Sequence, residues 1–316
     1  MRIIGRVMLL VLLPLVLGCC ARGGEDRRLE EALQFAGDNR AQLERVLTHY
    51  AGDSLKLRAA RYLVENMPGH YSYADTDSVV SYSCQVAELC VRMKGCRYEQ
   101  LRDSINACAA RCGIQQVGKV FDSRVVTADY LIRNIDDAFR CWRQGRWARH
   151  LSFEEFCEWL LPYKTCELQL LDDWRTRMRG FQCQGLEQLE WCDQYAHSAL
   201  KAAQVVNANL REFMDPDHAA NIEFQNIRVE DAVRLPMGNC DFYVLLATTL
   251  LRSQGIPVVE DFTPHWAYRD KGHSWNVVLT NEGREVPFTG ICTQPGEEHK
   301  PDEKMPKAYR STYAQN

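Results

Sequence analysis

Residues 238–258 read GNCDFYVLLATTLLRSQGIPV, and this stretch decides the fold. The residues of 242–251 are apolar almost all round, a pattern typical of a helix that is buried on most sides. Gly255 is expected to end this helix and to lead into an extended segment. His273–Leu279 and Arg284–Phe288 have the flanking turn residues of two further strands. A buried helix followed by an antiparallel sheet predicts an α+β architecture.

The preceding two-thirds of the chain is predicted to be mostly α-helical and to support or frame a substrate site. Three short helices are expected between residues 26 and 66, with Asp38 and Asp53 as N-caps of the second and third. The stretch Ser152-Phe153-Glu154-Glu155 is a capping box that opens a later helix. The polar, turn-rich residues 71–83 predict a loop.

The first eighteen residues have the pattern of a bacterial signal peptide. Arg2 and Arg6 precede an apolar run over 7–17, which is shorter than the roughly 20 residues of a membrane span. The run ends in Val16-Leu17-Gly18-Cys19, which resembles a lipobox, so Cys19 is the expected lipidation site. A diacylated Cys19 would anchor the protein to a membrane. The alternative is an ordinary signal peptide followed by chance cysteines.

Charge and cysteine spacing exclude several classes of protein. The formal net charge is −4 and no basic stripe is present, which argues against a nucleic-acid partner. Twelve cysteines follow Cys20, and none forms a Cys-x-x-Cys pair, so neither a metal site nor a cofactor is expected. Cysteines are dense over 84–112, where one or two disulfides are plausible in an exported protein, and their connectivity stays open.

The chemistry of the C-terminal part centres on Cys240. A helix N-terminus lowers the pKa of a cysteine there, because backbone N–H groups and the positive end of the helix dipole favour the thiolate. His273, at the start of a strand that can pack on this helix, is the candidate base. The alternative is a core cysteine and a turn histidine with no joint role.

Several motifs together resemble the transglutaminase-like core of the papain-like superfamily. They are Gly238-Asn239-Cys240, Leu246-Ala247, Leu250-Leu251-Arg252, Gly255-Ile256-Pro257 and Gly272-His273-Ser274-Trp275, within about residues 230–292. Asn66-Met67-Pro68-Gly69-His70-Tyr71 also resembles a helical region of large Gram-negative lipoproteins with this domain. The predicted organisation is a lipoprotein signal peptide over 1–18 and an α-helical region over 19–215, followed by the transglutaminase-like domain that the resemblance implies over 216–316. Related proteins often continue into further β domains, so the last of these is expected to be short or C-terminally truncated.

The resemblance also implies a Cys-His-Asp triad that hydrolyses peptide or amide bonds or transfers an acyl group to an amine. Cys240 and His273 match the first two members. Phe288 or Thr289 occupies the expected place of the aspartate, which leaves Glu285 as the candidate third member, Asp261 as its alternative and Asn276 as a weaker one.

Trp266, Trp275 and Asn239 are candidate substrate-binding residues. The expected partners are a peptide or protein substrate, with a glycan as another possible ligand, and a membrane reached through the lipid anchor. The expected location is the cell envelope, on the outer membrane and facing the periplasm or the cell surface. Two other functions stay open: a catalytically degenerate module that binds peptide or glycan or scaffolds a surface complex, and a structural protein in which Cys240 pairs with Cys292.

Overall fold

A computed structural model describes residues 26–214, 222, 224, 226–266, 271–297 and 307–315. The predicted signal peptide and Cys19 lie outside the described residues. Two compact units make up the chain, one formed by residues 1–70 and 121–128 and the other by residues 71–120 and 129–316. Within the described part, no helix combines the length and the apolar character needed to cross a membrane.

The first unit contains three helices in the order that the sequence predicts. They are α1 (26–35), α2 (Arg40–His49) and α3 (Ser54–Asn66). The Asp53 carboxylate caps α3, as predicted, by accepting from the N–H groups of Leu55 and Lys56. The prediction that Asp38 caps α2 is wrong, because Asp38 lies inside a 3-10 helix, Gly37–Asn39, directly before α2.

The second unit contains the remaining helices and all the strands. The helices are α4 (Asp77–Arg92), α5 (Tyr98–Arg111), α6 (Ala128–Arg143, which begins at the unit boundary), α7 (Phe153–Trp159), α8 (Trp174–Arg179), α9 (Ala199–Phe213), α10 (Val229–Ala232) and α11 (Cys240–Ser253). The predicted capping box at Ser152 and Glu155 is present at the start of α7. The prediction of a loop over 71–83 is wrong, because helix α4 begins at Asp77. Thr76 caps this helix, and the side chains of Val79 and Tyr82 are buried on it.

The strands of the described residues form two small sheets, and the larger one carries the candidate site. Strands β1 (Tyr71–Tyr73) and β2 (Lys119–Phe121) pair with each other. The other four are β3 (Val258–Thr263), β4 (His273–Leu279), β5 (Glu285–Phe288) and β6 (Tyr309–Arg310), in the antiparallel order β5-β4-β3-β6. The chain is therefore a mixed helix-and-sheet protein, compatible with the predicted α+β class.

Helix α11 is fixed at its C-terminal end by a buried arginine. The Arg252 guanidinium donates to the carbonyl oxygens of Val258, Lys164 and Glu158 at 2.9, 3.3 and 3.3 Å. Gly255 follows with a φ of +80°, a backbone conformation that glycine adopts without strain. The end of α11 is thereby bound to the start of β3 and to residues that precede α8.

Buried side chains from α4 to the segment after β5 form one continuous core, with α11 in its middle. Neither compact unit begins or ends at residue 215, where the sequence predicts a domain boundary. Apolar faces on both sides of that position, such as those of α9 and α11, pack into the same core.

Candidate active site

Cys240 is the first residue of α11. The Asn239 side chain caps the helix by accepting from the Phe242 N–H at 3.0 Å. A Cβ added to Gly238 would collide with the Phe242 ring, so a glycine is required for the close approach of the chain before the helix. The predicted position of Cys240 at a helix N-terminus is confirmed, and Asn239 has a structural role there.

Strand β4 packs on α11 through alternate side chains. The Ser274 hydroxyl donates to Asp241 Oδ1 at 2.6 Å, and the Asn276 amide donates to the Val244 carbonyl oxygen at 3.2 Å and to Thr248 Oγ1 at 2.7 Å. Because successive side chains of a strand point to opposite faces, His273 and Trp275 belong to the other face of β4. Asn276 therefore bonds to α11 and not to His273.

Cys240 and His273 nonetheless meet at one cavity. It has a volume of about 270 Å³, and its lining includes Cys240, Asp241, Glu260, His273 and Ser274. His273 is the first residue of β4, and the N–H of the next residue, Ser274, hydrogen-bonds to the Cys240 sulfur. The structure thus places the two residues predicted to act together at the same cavity.

Two tryptophans flank the His273 imidazole. The Trp266 ring stacks on it with a centroid distance of 5.7 Å and an interplanar angle of 26°, and the Trp275 ring lies at 6.0 Å and 34°. The tryptophans predicted to bind substrate thus contact the candidate base.

The electrostatic environment of Cys240 differs from the expected one. Burial raises the pKa of the Cys240 thiol, and the charge of Asp241 raises it further. Hydrogen bonds from the Ser274 and Asp241 N–H groups lower this pKa but do not cancel the effect of burial. The predicted lowering of the pKa is therefore wrong, and the thiol stays protonated until a base removes its proton.

Glu260, a residue of β3, is a second acidic residue in the lining of the cavity. Burial, and then the charge of Asp241, raises the pKa of Glu260 to about 7. The Ser311 hydroxyl donates to Glu260 Oε2 at 3.2 Å. Sequence reasoning missed Asp241, Ser274 and Glu260, although Asp241 and Ser274 directly follow the two predicted catalytic residues.

The prediction that Glu285 orients His273 is contradicted by the strand register. Glu285 lies opposite Leu279, six residues along β4 from His273, which corresponds to roughly 20 Å at about 3.3 Å per residue. Its two carboxylate oxygens accept from the Arg310 guanidinium at 2.6 and 2.8 Å.

Asp261, the alternative third member, is also bound by Arg310. It lies opposite Trp275 on β3, and its oxygens accept from Arg310 at 2.8 and 3.0 Å. Arg310 therefore joins both candidate carboxylates into an ion-pair cluster on the face of the sheet away from α11. That cluster accounts for these acids without a catalytic role.

The cysteines of the described residues are all free thiols, including Cys240 and Cys292. The disulfides expected over 84–112 are absent among the residues that the structure describes. No group of three or more His, Cys, Asp or Glu side chains in this part of the chain could hold a metal ion. Comparisons with known protein families, with curated proteins and with solved structures find no match for this chain.

Proposed function

We propose that the chain is a lipid-anchored envelope protein whose C-terminal part is a transglutaminase-like domain. It acts as a cysteine-dependent hydrolase or acyltransferase on peptide or amide bonds of a peptide or protein substrate. Cys240 is the nucleophile and His273 the base. The observation that carries the proposal is the cavity that both residues line, with the thiol at the N-terminus of a buried helix.

The raised pKa of Cys240 determines how the pair works. His273 removes the Sγ proton as the sulfur attacks the substrate carbonyl carbon, so that the S–C bond forms while the carbonyl oxygen takes up negative charge. The imidazolium then gives this proton to the leaving nitrogen, and the C–N bond breaks to leave a thioester. Water or an amine next attacks the thioester and releases the thiol.

Backbone N–H groups are available where negative charge develops. Those of Ser274 and Asp241 hydrogen-bond to the Cys240 sulfur, and the positive end of the α11 dipole also stabilises a nearby anion.

Alkylation of the full chain by iodoacetamide between pH 6 and pH 10 tests this proposal. Modification of Cys240 is followed by mass spectrometry of its peptide, with the exposed thiols Cys84 and Cys96 as internal references. His273→Ala is expected to slow Cys240 alkylation at pH 7 to 8 by about 10- to 100-fold, because no base then assists the proton transfer. The references should keep their rates.

His265→Ala is the matched control, since His265 is an exposed histidine on the segment that follows β3. It should leave the Cys240 rate unchanged. Equal Cys240 rates in the wild type and in His273→Ala across the whole pH range would refute the catalytic pair.

A catalytically degenerate module that binds peptide or glycan, or that scaffolds a surface complex, is the second candidate. The raised pKa of Cys240 favours it, because a buried neutral thiol is a poor nucleophile when nothing assists it. The same alkylation experiment separates the two functions, since the degenerate module predicts no dependence on His273.

The lipid anchor needs its own experiment. Mass spectrometry of the N-terminal peptide from a Gram-negative cell should find a diacylated Cys19. Cys19→Ser should lose the lipid and move the protein from the membrane fraction to the soluble one. An unmodified Cys19 in a membrane-bound wild-type protein would refute this anchor.

A further inference from the structure

The register of the sheet places the Glu260 side chain on the face that packs against α11. Glu260 lies opposite Asn276 in the pairing of β3 with β4, and Phe262 lies opposite Ser274. Directly opposed residues of an antiparallel pair point to the same face of a sheet. The side chains of Asn276 and Ser274 hydrogen-bond to α11, so Glu260 also points towards this helix.

A second cavity lies beside the one at Cys240, and Glu260 lines both. The second cavity has a volume of about 280 Å³. Asp241 and Glu260 are the residues that the two linings have in common. A molecule that reaches Cys240 from the second cavity therefore passes Asp241 and Glu260.

One oxygen of the Glu260 carboxyl group is held in place and the other is available. Oε2 accepts from the Ser311 hydroxyl at 3.2 Å, and the Ser311 N–H donates to the Glu260 carbonyl oxygen at 2.9 Å. Among the described residues, Oε1 has no hydrogen-bond partner, and Glu260 is partly exposed. Oε1 is thus the atom that can accept a proton from a molecule in the cavity.

The surroundings of Glu260 suit a group that takes up and releases a proton near neutral pH. Burial, and then the charge of Asp241, raises its pKa to about 7. Two other charged groups act on it: Arg252 on α11 lowers the pKa, and Asp261 on β3 raises it. The nearby Cys166 thiol stays neutral, because burial raises its own pKa to about 12. A base transfers protons most efficiently when its pKa is close to the working pH.

His273 and Glu260 occupy different positions around Cys240. His273 lies opposite Thr263 and belongs to the face of the sheet away from α11, whereas Glu260 belongs to the face towards it. In the described part of the chain, the lining of the second cavity includes Glu260 but not His273. Two groups in these positions can serve two different molecules, the leaving group at His273 and the attacking nucleophile at Glu260.

We propose that Glu260 is a further catalytic residue, the base that deprotonates the water or amine that attacks the thioester from the second cavity. The oxygen or nitrogen of the nucleophile bonds to the carbonyl carbon while Glu260 Oε1 takes its proton. The C–S bond then breaks, and its electron pair goes to the Cys240 sulfur. Glu260 gives its proton to this thiolate, which restores the free thiol and the carboxylate. This inference rests on the proposed function, because it needs a thioester at Cys240.

The test follows the thioester in the full chain. Cys240 is acetylated with p-nitrophenyl acetate, the excess reagent is removed by rapid gel filtration, and mass spectrometry of the Cys240 peptide follows the loss of the acetyl group between pH 5.5 and pH 8.5. The wild-type rate should rise with pH and level off above about 7, since only the ionised Glu260 accepts a proton. Glu260→Gln should be about 100-fold slower at pH 8, the contribution of one positioned base.

A second variant identifies the group that titrates. Ser311→Ala removes the hydrogen bond that lowers the pKa of Glu260, so the deacetylation rate should level off at a higher pH than in the wild type. Glu187→Gln, the same charge change at an exposed residue, is the matched control and should change neither the rate nor its pH dependence.

Equal deacetylation rates in the wild type and in Glu260→Gln, or a pH dependence that Ser311→Ala leaves unchanged, would overturn this proposal. Thermal melting checks that each variant is folded, and the result for Ser311→Ala decides alone if Glu260→Gln does not fold. If p-nitrophenyl acetate does not acetylate Cys240, the proposed function is overturned together with this inference. Normal acetylation followed by unchanged deacetylation in the variants would overturn this inference alone.

Discussion

Glu260→Gln should make the protein more stable at pH 8 than the wild type. The pKa of Glu260 is about 7 in the folded protein, raised mainly by burial, against about 4.3 in an unfolded chain. Between these two values the unfolded chain releases a proton that the folded protein still holds, so the wild type loses stability as the pH rises through this window. Glutamine has no proton to release and still accepts from Ser311.

The size of the effect follows from the shift. The pKa of Glu260 differs by about 2.7 pH units between the folded and the unfolded chain. At a pH above both values, this difference lowers the free energy of unfolding of the wild type by about 3.7 kcal/mol. Because Glu260 keeps some contact with solvent, we discount this to about 2 kcal/mol at pH 8. A difference of about 2 kcal/mol in the free energy of unfolding corresponds to a melting temperature of Glu260→Gln that is about 4 to 8 °C above that of the wild type.

Thermal unfolding of the wild type and of Glu260→Gln at pH 5 and pH 8 measures the gap. The difference in melting temperature between the two proteins should be small at pH 5 and should increase towards pH 8. Glu187→Gln, the same change at an exposed position, controls for the general effect of removing one charge and should show no such growth. A gap that is constant with pH, or a variant that is less stable at pH 8, would refute the reasoning.

Two further variants separate the electrostatics of the thiol from the stability of the sheet. Asp241→Asn removes the charge that raises the pKa of Cys240, so alkylation of Cys240 at pH 8 should become faster. A slower rate, measured by mass spectrometry, would contradict this cause. Arg310→Met leaves the carboxylates of Asp261 and Glu285 without their partner, so urea unfolding should show a loss of about 1 to 3 kcal/mol. The rate of Cys240 alkylation should not change. A large loss of that rate would indicate that these carboxylates act in the active site.

The parts of the fold that depend on local pattern were predictable from the sequence. The apolar run after Cys240 has no polar face and so had to be a buried helix, and Gly255 ends it for a stereochemical reason that is visible in the sequence. The caps at Asp53 and Ser152 were equally predictable, because a cap uses a side chain and backbone groups only two or three residues apart.

The features that the sequence did not predict depend on pairing between distant segments. The prediction that Glu285 orients His273 was wrong because the distance between them is set by the register of β4 and β5, which no local pattern reveals. The pKa of Cys240 was predicted in the wrong direction because burial by β4 and the Asp241 carboxylate outweigh the helix N-terminus.

The most direct test of the central claim asks whether His273 and the Cys240 sulfur affect each other's titration. The pKa of His273 is measured by NMR of ¹³C-labelled histidine before and after Cys240 is blocked as a methyl disulfide, with the resonance assigned through His273→Asn. His150, a histidine outside the site whose pKa burial lowers, is the reference. If the two groups form a working pair, blocking the sulfur shifts the titration of His273 and leaves that of His150 unchanged. Identical His273 titrations before and after blocking would contradict the account.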